Sequence, residues 1–112
     1  MEAFGRLAKI NENIEEYNEL ERAMQKLLAN NIKNIVQEMN EFTVLYNSKE
    51  IIQDLLDYMT VIVYNYISKE KDYRVRFINI INYIENTKIK LNSNTNYEMS
   101  IDSLLMKIWE EF

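Results

Sequence analysis

The chain has no cysteine, no histidine and no proline, and Gly5 is its single glycine. The lack of cysteine and histidine excludes disulfides, thiol chemistry, histidine acid–base catalysis and the usual zinc sites. One glycine cannot build a phosphate-binding loop or a dinucleotide-binding fingerprint, because both need several glycines at fixed spacing. We therefore expect no catalytic residue, no cofactor and no metal ion, and hence a protein that is not an enzyme.

Membrane and nucleic-acid signals are also missing. No apolar run reaches the roughly 18–20 residues of a membrane span, and the stretch 1–6 lacks the basic-then-apolar order of a signal peptide. The net charge of −5 argues against a nucleic-acid-binding face, because such modules usually carry a basic patch. We expect a cytoplasmic protein without a small-molecule substrate, whose contact with DNA is indirect or weak.

Apolar residues recur at three- and four-residue steps along much of the chain, which is the period of a helix. The scarcity of glycine and proline argues against turn-rich β folds, so the fold class is expected to be all-α. Short connections predict a single compact bundle of about five helices, with mostly antiparallel neighbours. The predicted helices cover 14–28, 32–46, 51–67, 73–91 and 97–112. The third is the most apolar, so it is expected to be central and touched on more than one side. The apolar stripe of the second is predicted to consist of Ile32, Ile35, Val36, Met39, Phe42, Thr43 and Tyr46.

Asparagine marks several predicted helix ends. Asn11 or Asn13 is expected to cap the first helix, and Asn47, with Glu50 three residues on, the third. The last two helices are joined by 91–96, a stretch that reads as a tight turn. Its asparagines are expected to cap helices and close backbone groups there: Asn92, Asn94 and Asn96.

Two charged groups allow a functional and a plain interpretation. Carboxylates crowd 15–21 and recur at Asp54 and Asp57, but carboxylate metal sites in helical bundles also use histidine, so solvated faces and local ion pairs are favoured. Basic residues gather at 69–76 and at 88–90. Phosphate contact with DNA is one interpretation, yet Glu70 and Asp72 dilute the positive field, which favours ordinary solvation.

Aromatic residues outside the main apolar stripes are the more useful group. They lie either at the periphery of the core or on a protein–protein surface, because Tyr and Trp are enriched in interface hot spots. Methionine adapts to either environment. The candidate interface residues are Tyr58, Tyr66, Tyr83, Met106 and Trp109.

The last third of the chain carries a more specific pattern. The stretch 88–96, with Leu91 and its asparagines, and the stretch 104–108, with Leu104 and Leu105, resemble the C-terminal helix pair of bacterial clamp-loader subunits of DNA polymerase III. The order of the pieces is more similar to the delta prime subunit than to gamma/tau. One departure is the segment 64–66, where the family typically has an arginine whose role here is unfilled.

The resemblance implies a domain organisation and a function. Residues 1–10 would be the tail of, or a linker from, an ATPase-fold region, and 11–112 a helical collar domain. In this family, collar domains of delta, delta prime and three gamma/tau copies pack into a ring that holds together the complex loading the sliding clamp on primed DNA. Delta prime generally lacks a working phosphate loop, so no catalytic residue carries over. The alternative is a free-standing small helical regulatory or interaction protein of a phage or a low-GC bacterium.

Overall fold

Helices occupy most of the residues that the computed structural model describes, which are 13–29, 34–93 and 96–112. No strand occurs in these ranges, so the all-α prediction is confirmed. The helices are α1 (Ile14–Leu28), α2 (Ile35–Met39), α3 (Thr43–Asn47), α4 (Ile52–Ile67), α5 (Tyr73–Leu91) and α6 (Tyr97–Glu110), with 3-10 turns at Asn40–Phe42 and Lys49–Ile51. Because α2, the first 3-10 turn and α3 follow one another without a break, these elements form the five helical segments predicted. The expected linker, 1–10, lies outside the described residues.

The five segments close into a ring around one core. Helix α4 packs against α1 and α5, α5 packs against α6, and α6 packs against α2 and α3. Helix α3 and the 3-10 turn at Asn40–Phe42 contact α1, which closes the ring. Helix α4 is therefore touched on more than one side, as predicted, but so is every other segment of the ring, and α4 holds no central position among them. None of the helices in the described ranges combines the length and the apolarity needed to cross a membrane.

Most neighbouring segments run antiparallel, as predicted. Gln53 near the start of α4 donates to the carbonyl of Lys88 near the end of α5, and Tyr97 at the start of α6 donates to the carbonyl of Leu45 in α3. Helices α1 and α4 instead run in the same direction, since Tyr17 packs against Tyr58 and Gln25, further along α1, lines a groove with Asn65, further along α4. A closed ring with an odd number of segments cannot alternate direction all the way round, so one neighbouring pair has to be parallel.

The core consists of side chains at the predicted helical steps. Fully burying a Leu, Ile, Phe or Met side chain contributes roughly 1.5–3 kcal/mol relative to exposure. The contributions of α1, α4 and α6 agree with the sequence pattern, apart from Ile14 and Tyr66, which are exposed. Side chains that are completely buried include Leu20, Met24, Leu27, Leu55, Leu56, Met59, Val63, Ile80, Ile84, Ile101, Leu105 and Ile108.

The second segment departs from its predicted stripe. The sequence placed Val36 and Thr43 on the buried face, whereas the structure leaves both exposed and buries Val44 and Leu45 instead. For Thr43, Val44 and Leu45 the cause is the 3-10 turn at Asn40–Phe42, whereas Val36 lies before this turn and its exposure is not explained by it. Such a turn has about three residues per turn against about 3.6 in an α-helix, so it rotates α3 relative to α2. Ile32, also predicted on this stripe, lies outside the described residues.

Helix caps were predicted correctly at one place and wrongly at others. Asn96 caps α6 as predicted, since its Oδ1 accepts from the backbone N–H of Met99 at 3.0 Å. Asn47 does not cap α4, because it is the last residue of α3 and a 3-10 turn intervenes before α4 begins. Within that turn the N–H of Ile51 bonds the carbonyl of Ser48 at 3.2 Å.

The first helix also lacks its predicted cap. Asn13 stands at the N-cap position of α1, but its side chain makes no capping hydrogen bond. Asn34 was not predicted as a cap, yet it caps α2 by accepting from the N–H of Val36 at 3.0 Å. Asn92 occupies the C-cap position of α5. Asn11 and Asn94 lie outside the described residues.

Candidate protein-interaction surfaces

The five predicted interface residues lie at two separate places in the bundle of helices. Tyr58 and Tyr66 lie on α4 beside α1, where they line a groove. Tyr83 lies on α5, and Met106 and Trp109 lie on α6. The structure therefore divides the predicted group between two helix pairs instead of gathering it into one patch.

The groove between α1 and α4 has a volume of about 200 Å³ and is lined by both helices. Glu21 and Gln25 contribute from α1, and Tyr58, Val61 and Tyr66 are among the residues that α4 contributes. These α4 positions follow one another at helical spacing beside the buried stripe, so they border the core without entering it. We refer to this feature as the α1–α4 groove.

Tyr58 forms a wall of the α1–α4 groove. Its hydroxyl donates to Glu21 Oε2 at 3.1 Å, and its ring packs edge-on against Tyr17 with centroids 5.0 Å apart. Burial raises the pKa of Tyr58, and the bond to Glu21 raises it further. Tyr58 thus ties α1 to α4, whereas Tyr66 keeps 40% of its surface exposed at the edge of the groove.

The second group surrounds the end of α6. The hydroxyl of Tyr83 donates to Glu111 Oε1 at 2.7 Å, and that bond is the main reason why the pKa of Tyr83 is raised. Lys107 Nζ lies 5.8 Å from the centre of the same ring. Trp109 is partly buried and packs against the core. Met106, which is exposed, is therefore the member of this group with most surface left for a partner.

A further apolar surface lies on α5 and was not singled out from the sequence. Val75, Ile78 and Ile89 are 72%, 57% and 68% exposed. Their spacing places them within about 60° of one another around the helix, opposite the buried Ile80 and Ile84. We call these three residues the α5 outer stripe. In the sequence pattern, Ile78 and Ile89 fall beside the main apolar stripe of this helix. Their exposure depends on which neighbouring helices cover α5, and the pattern of α5 alone does not give that.

Helices α3 and α6 are joined by two tyrosine hydroxyls. Tyr97 donates to the carbonyl of Leu45 at 2.5 Å, and Tyr46 donates to Asp102 Oδ1. The pKa of Tyr46 is raised, first by burial and then by its bond to Asp102. Beside this link lies a second groove of about 350 Å³, whose lining includes Val36 and Asp102. Sequence patterns gave no sign of these pairings.

Local ion pairs occupy several of the charged residues, in line with the favoured interpretation. Lys88 Nζ lies 2.6 Å from Asp57 Oδ1 and 3.7 Å from Glu85 Oε1, and the bond to Asp57 is the main cause of the raised pKa of Lys88. Arg76 Nη1 lies 2.8 Å from Glu70 Oε2. In the described part of the chain, no three acidic side chains are grouped so as to hold a metal ion.

Comparison of the chain with known protein families, with curated proteins and with solved structures found no match. Function is therefore inferred from the residues of this chain, their pattern and their geometry.

Proposed function

We propose that this chain is an assembly domain, the C-terminal collar domain of a bacterial DNA polymerase III clamp-loader subunit. Delta prime is the first choice for that subunit and gamma/tau the second. The observation that carries the proposal is the α5 outer stripe, which stays exposed although the bundle already has a filled core. Polar residues, Asn82, Glu85 and Asn86, separate Ile89 from Ile78 on this face, so the stripe is a row of single apolar side chains. Leaving these side chains in water costs free energy that a covering partner would recover.

The arrangement of the surfaces suits a member of a ring. Each domain in a closed ring of unlike neighbours needs two different contact surfaces, one for each neighbour. The α1–α4 groove and the α5 outer stripe lie on different helices, and each has aromatic or apolar residues that a partner can cover. In this proposal delta and gamma/tau are the neighbours, and DNA is reached only indirectly.

The resemblance adds the identity of the complex. The stretches 88–96 and 104–108 carry it; residues 88–91 end α5, and 104–108 lie within α6. These helices pack against each other, so the pattern belongs to one helix pair. The proposal extends to an ATPase-fold region before residue 10, to a cytoplasmic location and to a role without catalysis by this domain.

Co-purification tests the proposal directly. The chain is co-expressed with the delta and gamma/tau subunits of the same organism, one of which carries an affinity tag. We expect the chain to elute with the tagged subunit at a fixed ratio through a subsequent size-exclusion column. Separate elution of a chain that circular dichroism shows to be helical would contradict the proposal.

A free-standing helical regulatory or interaction protein of a phage or a low-GC bacterium is the second candidate. The observation in its favour is that the core of the described bundle is filled by this chain alone. The two candidates differ in their partners and in the gene. A reading frame that continues upstream into an ATPase-like sequence favours the collar domain, whereas capture of a partner unrelated to clamp loading favours the alternative.

A further inference from the structure

The α1–α4 groove is negatively charged on one side. Among the described residues that line it, the charged side chain is Glu21. The nearest basic residues of α1, Arg22 and Lys26, line a different groove on the other side of that helix. A ligand in the α1–α4 groove therefore meets one carboxylate that no lining cation neutralises.

The carboxylate is held in place and still has acceptor capacity. Oε2 of Glu21 accepts a hydrogen bond from the hydroxyl of Tyr58 at 3.1 Å, which orients the carboxylate within the groove lining. An ionised carboxylate accepts several hydrogen bonds through its two oxygens. Gln25 and Asn65 also line the groove and bring two amide carbonyls, which add acceptors.

An exposed aromatic ring also lines the groove. Tyr66 is 40% exposed; Tyr64 is exposed as well, but it does not line this groove and its ring packs against Phe77 with centroids 5.3 Å apart. The face of a tyrosine ring attracts a cation within about 6 Å of its centre. Glu21 and Tyr66 thus offer a cation two kinds of attraction in one groove.

We propose that the α1–α4 groove binds an arginine side chain of a protein partner, between the Glu21 carboxylate and the Tyr66 ring. A guanidinium is planar, stacks on aromatic rings and donates several N–H bonds in a fixed geometry, which a lysine ammonium does not. The groove volume of about 200 Å³ is smaller than the roughly 300–1,000 Å³ of pockets for drug-sized ligands, so it suits one long side chain.

This inference deepens the proposed assembly role and rests on it in one respect, since the arginine is assigned to a neighbouring subunit. The binding chemistry itself can be tested on the isolated chain. The probe is Nα-acetyl-arginine amide, titrated while the backbone and tyrosine ring signals are followed by NMR. We expect saturable shifts at Tyr66, Val61 and Glu21 with a dissociation constant of about 1 mM, the weak range expected for a single side chain.

Two other probes test the chemical selectivity. Nα-acetyl-citrulline amide has nearly the same shape without the charge, and we expect it to bind at least about tenfold more weakly, since bonds to charged groups are the stronger ones. Nα-acetyl-lysine amide has the charge without the planar group and should bind severalfold more weakly. Equal shifts with the citrulline probe or the lysine probe would overturn the proposal.

Substitutions at Glu21 and Tyr66 test whether these two residues form the binding site. Glu21→Gln keeps an oxygen that accepts from Tyr58 but removes the charge, and it should weaken binding of the arginine probe about tenfold. Tyr66→Ala should weaken it about fivefold through loss of the cation–π contact. Glu15→Gln, an exposed change elsewhere on α1, is the control and should leave binding unchanged. Binding that survives Glu21→Gln would overturn the proposal. This titration needs no clamp-loader subunit, so its failure and a failure of co-purification are distinct results.

Discussion

Tyr97 connects the start of α6 to α3 through a single hydroxyl. It donates to the carbonyl of Leu45 at 2.5 Å, and Lys49 Nζ lies 4.9 Å from the centre of its ring. Burial, with a smaller contribution from the negative charge of Glu50, raises the pKa of Tyr97 to about 12. The neutral hydroxyl is therefore the form that the folded state favours.

Replacing Tyr97 tests how much its hydrogen bond to Leu45 contributes to the free energy of unfolding. Tyr97→Phe removes the donor and leaves the carbonyl of Leu45 without it, so we expect a loss of about 1–2 kcal/mol in the free energy of unfolding. Urea denaturation at pH 7 measures it. Tyr64→Phe is the control, because Tyr64 is exposed and its contacts are through its ring, and it should change stability by less than about 0.5 kcal/mol.

The burial of Tyr97 gives a dependence on pH with a definite sign. An unfolded tyrosine ionises near pH 10, whereas Tyr97 in the fold ionises near pH 12. Between these values the unfolded chain has released the proton and the folded chain still holds it, so raising the pH favours unfolding. The stability advantage of the natural chain over Tyr97→Phe should be constant below pH 10 and shrink towards pH 12. An advantage that grows over this range would contradict the assignment.

Sequence patterns could not show which tyrosines make such bonds. The partner of Tyr97 lies 52 positions away in the chain, and helical period reports only which face a residue occupies. The same limit applies to the candidate interface residues. Tyr83 and Trp109 turn out to pack against the bundle, whereas Tyr66 and Met106 keep more of their surface exposed. Which of them contacts a partner remains a prediction.

At the scale of elements, the cap of α6 is a local feature that the sequence predicted well. Asn96→Ala removes the acceptor for the N–H of Met99 and should destabilise the chain by about 1 kcal/mol. Asn86→Ala is the control, since Asn86 is exposed within α5 and alanine is the better helix former, so stability should stay equal or rise slightly. Thermal and urea unfolding measure both. An equal effect of the two changes would contradict the capping role of Asn96.

The segment formed by α2, the 3-10 turn and α3 offers a sharper test of the fold. Val36 was predicted to be buried and is exposed, whereas Leu45 was not on the predicted stripe and is buried. Leu45→Ala should cost about 2–5 kcal/mol, since Leu45 is completely buried and the change leaves a cavity. Val36→Ala should cost less than about 0.5 kcal/mol, because Val36 is 66% exposed. A continuous helix with the predicted stripe would require the larger cost at Val36.

The sequence missed this bend for a physical reason. Period alone cannot detect one short 3-10 turn inside an otherwise helical stretch, because the apolar residues Phe42, Val44 and Leu45 fit more than one phase. The bond from Thr43 Oγ1 to the carbonyl of Asn40, 2.9 Å long, accompanies the turn. Helices of 14 residues or more, such as α1 and α6, were placed closely because several turns of consistent pattern outweigh one ambiguous position.

At the scale of the whole molecule, the all-α fold class and the number of helical segments followed from composition and helical period. The parallel arrangement of α1 and α4 follows from closure of a five-segment ring. The sequence pattern of a single helix does not predict such closure. The α5 outer stripe depends on which side of α5 the other helices cover. The exposed side of α5 is determined by the packing of α4 and α6 against the other side of that helix.

Assembly through this stripe is the central claim. It is tested most directly by sedimentation velocity of the chain mixed with the delta and gamma/tau subunits, comparing Ile78→Glu with Ile14→Glu. Both isoleucines are exposed on helices, at 57% and 47%, and Ile14 lies outside the α5 outer stripe. We expect the natural chain and Ile14→Glu to enter the complex, and Ile78→Glu to sediment alone as a folded helical protein. Equal incorporation of both variants, or of none of the three chains, would contradict the claim.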